Sequence, residues 1–114
     1  MKYDYKAKEI LIDGCYTQLG IKLVSKFDSS KIVKVVSERR GEEGDPTEHV
    51  SFIFDDGVCI TVFGSFTTGY RGEGPWGLHD VLVKMGLPEE QAQDVFTKKR
   101  VHTFWLKFPP PEAE

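Results

Sequence analysis

The side chains best suited to chemistry lie close together between Gly69 and His79, where the chain reads GYRGEGPWGLH. Four glycines, an arginine, a histidine and two large aromatic residues share these eleven positions. Backbone amides at the start of a helix carry a partial positive charge and bind phosphate or carboxylate groups. The stretch therefore predicts a site for a small anionic ligand, such as a nucleotide or a phosphorylated metabolite.

The predicted ligand-binding residues belong to this glycine-rich loop and to the helix behind it: Tyr70, Arg71, Gly72, Gly74, Trp76, Gly77 and His79. In this interpretation the anion contacts the amides from Gly74 to Gly77, and Arg71 adds a charge-assisted hydrogen bond. Tyr70 or Trp76 stacks on a base or sugar ring. Other interpretations stay open, because exposed aromatic residues are also typical of protein contact surfaces and of core edges.

A helix is predicted directly after the loop. Its apolar residues follow the i, i+3, i+4, i+7 spacing of one helix face: Leu78, Val81, Leu82 and Met85. Pro75 suits the first helical position, Gly74 the N-cap and Gly86 the C-terminal end. Glu73 precedes them and can offer its own carboxylate to the free amides. The simplest expectation is that Glu73 caps the helix, which would exclude an anion.

Three of the glycines match the dinucleotide-binding pattern G-x-G-x-x-G: Gly72, Gly74 and Gly77. That pattern needs a tight turn between a strand and a helix, and an acidic residue about 20 positions further on. Here residues 67–71 lengthen the loop, and a second helix is predicted about 20 residues on. The chain is also too short for a doubly wound dinucleotide domain. The match is therefore rejected.

Catalytic and metal-binding patterns are weak. The three histidines, His49, His79 and His102, do not have the spacing of metal ligands. Tyr70, Glu73, His79 and Asp80 are the only group that resembles an acid–base set, and an ordinary histidine near a helix start is the preferred interpretation. We therefore expect no catalytic residue, no metal and no cofactor. The chain is predicted to be a non-enzymatic binding module.

Composition and charge limit the classes of partner and the cellular location that we expect. The 114 residues suit a single domain, and no apolar run approaches the ~18 residues of a membrane span. The charged first residues lack the apolar core of a signal peptide, and two cysteines make no disulfide framework, so a cytoplasmic location and no membrane are expected. Double-stranded DNA is disfavoured because no basic stripe is present.

An acidic surface supports an alternative function. Residues 41–80 carry one Lys/Arg and eight Asp/Glu, a net charge of 1 − 8 = −7, many of them in the loop GEEGDPTE. This surface and the exposed aromatics predict a protein-interaction module, such as an inhibitor, immunity or adaptor protein. A homo-oligomer is compatible with the sequence.

The predicted fold class is α+β, with a mainly antiparallel sheet of about five to six strands and two helices packed on one face. Strands are expected at 3–12, 16–27, 31–38, 50–54, 58–63 and 101–108, and a second helix begins near Pro88. Asp56-Gly57 between two apolar runs is the strongest hairpin signal. Residues 1–108 are predicted to form the domain, and 109–114 a disordered, proline-rich acidic tail.

Overall fold

The computed structural model describes residues 9–42 and 47–107, and these residues form five strands and three helices. The strands are β1 Glu9–Asp13, β2 Ile32–Glu38, β3 His49–Phe54, β4 Cys59–Phe63 and β5 Val101–Trp105. The helices are α1 Thr17–Val24, α2 Glu73–Lys84 and α3 Glu89–Ala92. Short 3-10 turns precede β2, at Ser29–Lys31, and follow α3, at Gln93–Phe96.

The strands form one sheet in the order β1-β4-β3-β2-β5. Neighbouring strands are antiparallel except β1, which runs parallel to β4. The predicted α+β class is confirmed, but the sheet is mixed and the helices number three rather than two. The parallel pair arises because α1 carries the chain away from β1 before β2, β3 and β4 follow one another as a meander.

The hydrophobic core lies between one face of the sheet and the helices. Alternate strand residues supply it, including Val35 of β2, Phe52 of β3 and Phe104 of β5, which belong to the same buried cluster as Leu78 and Leu82 of α2. Strand side chains alternate between the two faces, so Thr103 and other intervening residues lie on the opposite face. Within the described residues, no helix is long and apolar enough to cross a membrane.

Helix α1 corrects the strand predicted at 16–27. Leu19, Ile21 and Leu23 have the period of a strand, but the buried residues Thr17, Gly20 and Val24 have the period of a helix. Two of these three are small because they pack closely: a Cβ on Gly20 would lie 2.3 Å from Ser65 Cβ. A pattern of hydrophobic residues alone therefore missed the face that packs.

Helix α2 begins two residues earlier than predicted. Its N-cap is Gly72, with extended backbone at φ −157° and ψ −171°, instead of Gly74. Trp76 N donates the first intrahelical hydrogen bond to Gly72 O at 3.0 Å. The predicted end is confirmed, because Gly86 follows the helix at a φ of +109°. The predicted tail at 109–114 and part of the acidic loop lie outside the described residues.

Candidate functional site

The loop before α2 is fixed by a buried carboxylate that the sequence did not single out. Thr68 donates its backbone N–H to Glu48 Oε1 at 3.0 Å and its hydroxyl to Oε2 at 2.6 Å. Ser37 Oγ donates to the same Oε2 at 3.0 Å. Burial raises the pKa of Glu48, and these three hydrogen bonds offset part of that rise. The loop is thereby tied to β2 and to the start of β3.

The loop glycines are used in packing. A Cβ on Gly74 would lie 2.0 Å from Thr67 Oγ1, and one on Gly77 would lie 2.5 Å from Thr17 Cγ2 of α1. A Cβ on Gly72 would lie 2.5 Å from the Tyr70 ring. Gly77 also falls in the second turn of α2, where its amide belongs to the helix. Close packing therefore accounts for these three glycines without a ligand.

Glu73 does not cap α2, contrary to expectation. No side chain caps this helix, and Glu73 Oε2 instead accepts a hydrogen bond of 3.4 Å from Gln18 Nε2 of α1. The Glu73 carboxylate lies toward α1, and Glu73 is the first residue of the helix rather than a residue before it. The backbone N–H groups of Glu73 and Gly74 have no acceptor among the described residues.

Three rings and an arginine pack together beside this helix start; we call Arg71, Trp76, His79 and Phe96 the aromatic surface. The Arg71 guanidinium lies 4.4 Å above the Phe96 ring and 5.9 Å from the Trp76 ring. Trp76 contacts Phe96 with centroids 4.7 Å apart and His79 at 5.1 Å. The Trp76 side chain remains accessible, because 42% of the residue is exposed. The structure thus brings together three of the predicted site residues.

His79 forms the buried end of the aromatic surface. Its Nδ1 lies 3.0 Å from Asp80 Oδ1, and its ring stacks on Phe96 with centroids 5.9 Å apart. Its Nε2 is buried and has no hydrogen-bond partner among the described residues, although Glu89 Oε2 lies 3.5 Å away. Sequence reasoning missed Glu89 and Phe96, since both belong to the segment after α2.

The four residues that resembled an acid–base set are not assembled into one. Tyr70 Oη pairs with Thr67 Oγ1 at 2.8 Å, and Glu73 pairs with Gln18. Only His79 and Asp80 contact each other. No cluster of three or more His, Cys, Asp or Glu side chains suited to a metal ion occurs in 9–42 and 47–107.

A second buried histidine, His102, lies in β5, an edge strand of the sheet. His102 Nδ1 lies 2.7 Å from Asp94 Oδ2, and its Nε2 lies 3.1 Å from Lys99 O. Partial burial alone raises the pKa of Asp94, but hydrogen bonds from His102 and Lys99 and their positive charges outweigh it, so that this pKa is lowered. Both ring nitrogens of His102 thus have partners.

Comparisons with protein-family models, with curated proteins and with solved structures gave no match. The functional assignment therefore depends on the geometry described above. The decisive feature is that the aromatic surface is exposed at Trp76 and Arg71.

Proposed function

We propose that this chain is a protein-interaction module whose contact surface is the aromatic surface. Exposed Trp76 in contact with Phe96 and close to the Arg71 guanidinium is the observation that carries the proposal. Trp and Arg are the residue types most enriched among interface positions that dominate binding energy.

The packing of these side chains against one another supports binding because it fixes their positions in advance. The Trp76 ring contacts both Phe96 and His79, and the long Arg71 side chain is held over Phe96. Ordering such side chains on binding costs roughly 0.5–1.5 kcal/mol each, and a preformed array avoids most of that cost. The surface is thus ready to bind without rearrangement.

Carboxylates around the aromatic surface favour a basic partner. Asp80 and Glu89 flank His79, with 71% and 64% of their side chains exposed, and Glu73 lies at the start of the same helix. Opposite charges at an interface rim steer association and select partners. The proposed partner therefore has basic side chains around an apolar centre; a second copy of the chain is one partner that the experiment would identify.

Affinity capture with matched variants tests this function. The immobilised chain, Trp76→Ala and Tyr16→Ala are compared in the same cell lysate. Tyr16 is the control, since it is an aromatic residue 60% exposed on another part of the surface. A partner should be retained by the unmodified chain and Tyr16→Ala and lost by Trp76→Ala. With the purified partner, Trp76→Ala should weaken binding by about 30-fold or more, the effect of a hot-spot truncation of ~2 kcal/mol.

Two outcomes would contradict the proposal. One is equal retention of every captured protein by Trp76→Ala and by the unmodified chain. The other is loss of a partner in Tyr16→Ala but not in Trp76→Ala, which would place the interface around Tyr16, at the N-terminal end of α1.

A small anionic ligand at the start of α2 is the second candidate function. It is favoured by the amides of Glu73 and Gly74, which lack an acceptor among the described residues, and by the Glu73 carboxylate being engaged with Gln18. Exposed Arg71 directly precedes the N-cap and supplies a positive charge. The anion would contact the first two helical amides rather than those from Gly74 to Gly77.

Thermal unfolding distinguishes this candidate. Phosphate or a nucleotide at 100 times its Kd should stabilise the chain by about 2.7 kcal/mol, seen as a rise in Tm. Arg71→Ala should abolish the rise, whereas Arg40→Ala, another exposed arginine, should preserve it. No rise with phosphate or a nucleotide panel would exclude the anion site, and equal losses in both variants would indicate non-specific charge binding.

A further inference from the structure

The unpaired ring nitrogen of His79 is the starting point for a more specific inference, which rests on the proposed function. Asp80 is a carboxylate, and a carboxylate only accepts hydrogen bonds when ionised. The hydrogen bond at 3.0 Å therefore places a proton on His79 Nδ1. In the neutral ring Nε2 then carries a lone pair, and it lies 3.5 Å from Glu89 Oε2, which is a second acceptor.

Two acceptors that face each other need a donor between them. The side chain of His79 is only 7% exposed, and its Nε2 has no hydrogen-bond partner in the described part of the chain. A buried polar atom left unpaired costs about 1–3 kcal/mol, so such an atom in a native fold calls for an explanation. A ligand that brings N–H groups would satisfy both Nε2 and Glu89.

A groove is available for that ligand between α2, α3 and α1. It has a volume of about 490 Å³ and is lined by Ile21, His79, Asp80, Val81, Val83, Lys84 and Glu89. Two carboxylates outnumber the single ammonium of Lys84, so the groove favours a cation. Three branched aliphatic residues supply walls against which a methylene chain packs, as the stems of lysine and arginine do on apolar surfaces.

We propose that this groove receives a lysine or arginine side chain of the protein partner. The ammonium or guanidinium group donates hydrogen bonds to His79 Nε2 and to Glu89, and Asp80 adds negative charge nearby. The stem lies against Ile21 and Val83. Because the His79 ring contacts Trp76, the groove adjoins the aromatic surface. A partner that covers Trp76 can therefore place an adjacent lysine or arginine in the groove.

The inference is testable without the partner, by NMR of the 15N-labelled chain. N-acetyl-arginine amide and N-acetyl-lysine amide are the probes, and N-acetyl-citrulline amide is a neutral control of nearly the same shape as the arginine probe. In the free chain at pH 7.5, His79 should carry its proton on Nδ1 alone. As a basic probe is added, the chemical shifts of His79 Nε2 and of the Glu89 backbone should change and reach a plateau. The chemical shifts of His102 should not change.

Variants at neighbouring glutamates locate the site. Glu89→Gln should weaken binding of the basic probes about five-fold, the effect expected for a partly exposed ion pair. Glu90→Gln is the matched control, since Glu90 is exposed in the same turn and does not line the groove. It should change the affinity less than about two-fold.

Several results would overturn the inference. The first is a proton on His79 Nε2 in the free chain, since Glu89 would then already have its donor. The others are no saturable shift with either basic probe, equal shifts with the citrulline probe, and equal weakening by Glu90→Gln. The titration does not involve the Trp76 capture experiment, so failure of this groove and failure of the proposed contact surface can be told apart.

Discussion

The two buried histidines of this chain have similar neighbours and different states of pairing. Each is at most 5% exposed, has a carboxylate within 3.0 Å of Nδ1 and lies against a phenylalanine ring. His102 has partners at both nitrogens, whereas His79 has one nitrogen unpaired among the described residues. Burial therefore does not separate a structural histidine from a candidate binding residue, but the pairing of its nitrogens does.

The groups that contact His102 and His79 also separate a structural histidine from a candidate binding residue. His102 joins β5 to the preceding segment through Asp94 and Lys99 O, groups that lie within eight residues of it. His79 instead lies between two strongly exposed carboxylates and contacts an exposed indole. We infer that the first region stabilises the fold and that the second is built to contact another molecule, and four predictions test this contrast.

The largest expected difference in the free energy of unfolding is between alanine variants of the two aromatic residues that contact these histidines, Phe104 and Trp76. Phe104 is 3% exposed and its ring stacks on His102, so Phe104→Ala should lower the free energy of unfolding by about 4 kcal/mol. Trp76→Ala should lower it by about 2 kcal/mol, since 42% of the residue already contacts water and only the buried remainder contributes. Urea denaturation measures both values. Equal losses would show that Trp76 is a core residue and would remove the main support for the contact surface.

The next largest difference in the free energy of unfolding is expected between alanine variants of the two histidines. His102→Ala removes one hydrogen bond to Asp94 and one to Lys99 O and creates a cavity, while Lys99 Nζ still donates to Asp94 and Arg39 still donates to Lys99 O. A loss of about 2 kcal/mol in unfolding free energy is therefore expected. His79→Ala also leaves a cavity, but it removes a buried nitrogen that has no hydrogen-bond partner among the described residues, so a loss of only about 1 kcal/mol is expected. His49→Ala is a control for a half-buried histidine with a single ion-pair contact. A larger loss for His79→Ala than for His102→Ala would reverse the comparison.

The Asp94 carboxylate makes the structural region pH-dependent. Its pKa is lowered on folding, so its stabilising effect is complete above the ordinary value of 3.8 and is lost as the pH falls through the lower folded value. At pH 7, Asp94→Asn should therefore reduce the free energy of unfolding by about 2 kcal/mol. The difference from the unmodified chain should shrink as the pH falls below about 4. A difference that stays constant between pH 7 and pH 3 would show that the charge of Asp94 is not what stabilises this region.

The sequence predicted those features that depend on neighbours along the chain. The β3–β4 hairpin follows from the local turn at Asp55-Asp56-Gly57, where Gly57 has a φ of +91°. The apolar face of α2 and the existence of a strand within 101–108, where β5 lies, were also predicted correctly. In each case the deciding pattern lies within about ten residues.

What the sequence missed depends on distant contacts. Helix α1 was predicted as a strand because Gly20 is explained only by Ser65, which lies 45 positions later. The candidate site was predicted in part, since Arg71, Trp76 and His79 are close in sequence. Phe96 and Glu89 reach it only when the segment after α2 folds back. No local pattern could show which histidine would be left with an unpaired nitrogen.

The smallest expected effects concern the carboxylates beside His79. Asp80→Asn and Glu89→Gln should each change the free energy of unfolding by less than about 0.5 kcal/mol, because exposed ion pairs contribute little in water. Urea denaturation of these two variants and of Asp94→Asn measures the three free energies of unfolding under the same conditions. A loss of more than about 1 kcal/mol in either variant would mean that these groups hold His79 in place as Asp94 holds His102. Changes in unfolding free energy close to zero would show that the two carboxylates do not stabilise the fold. That result is expected if their role is to bind a cation of the partner.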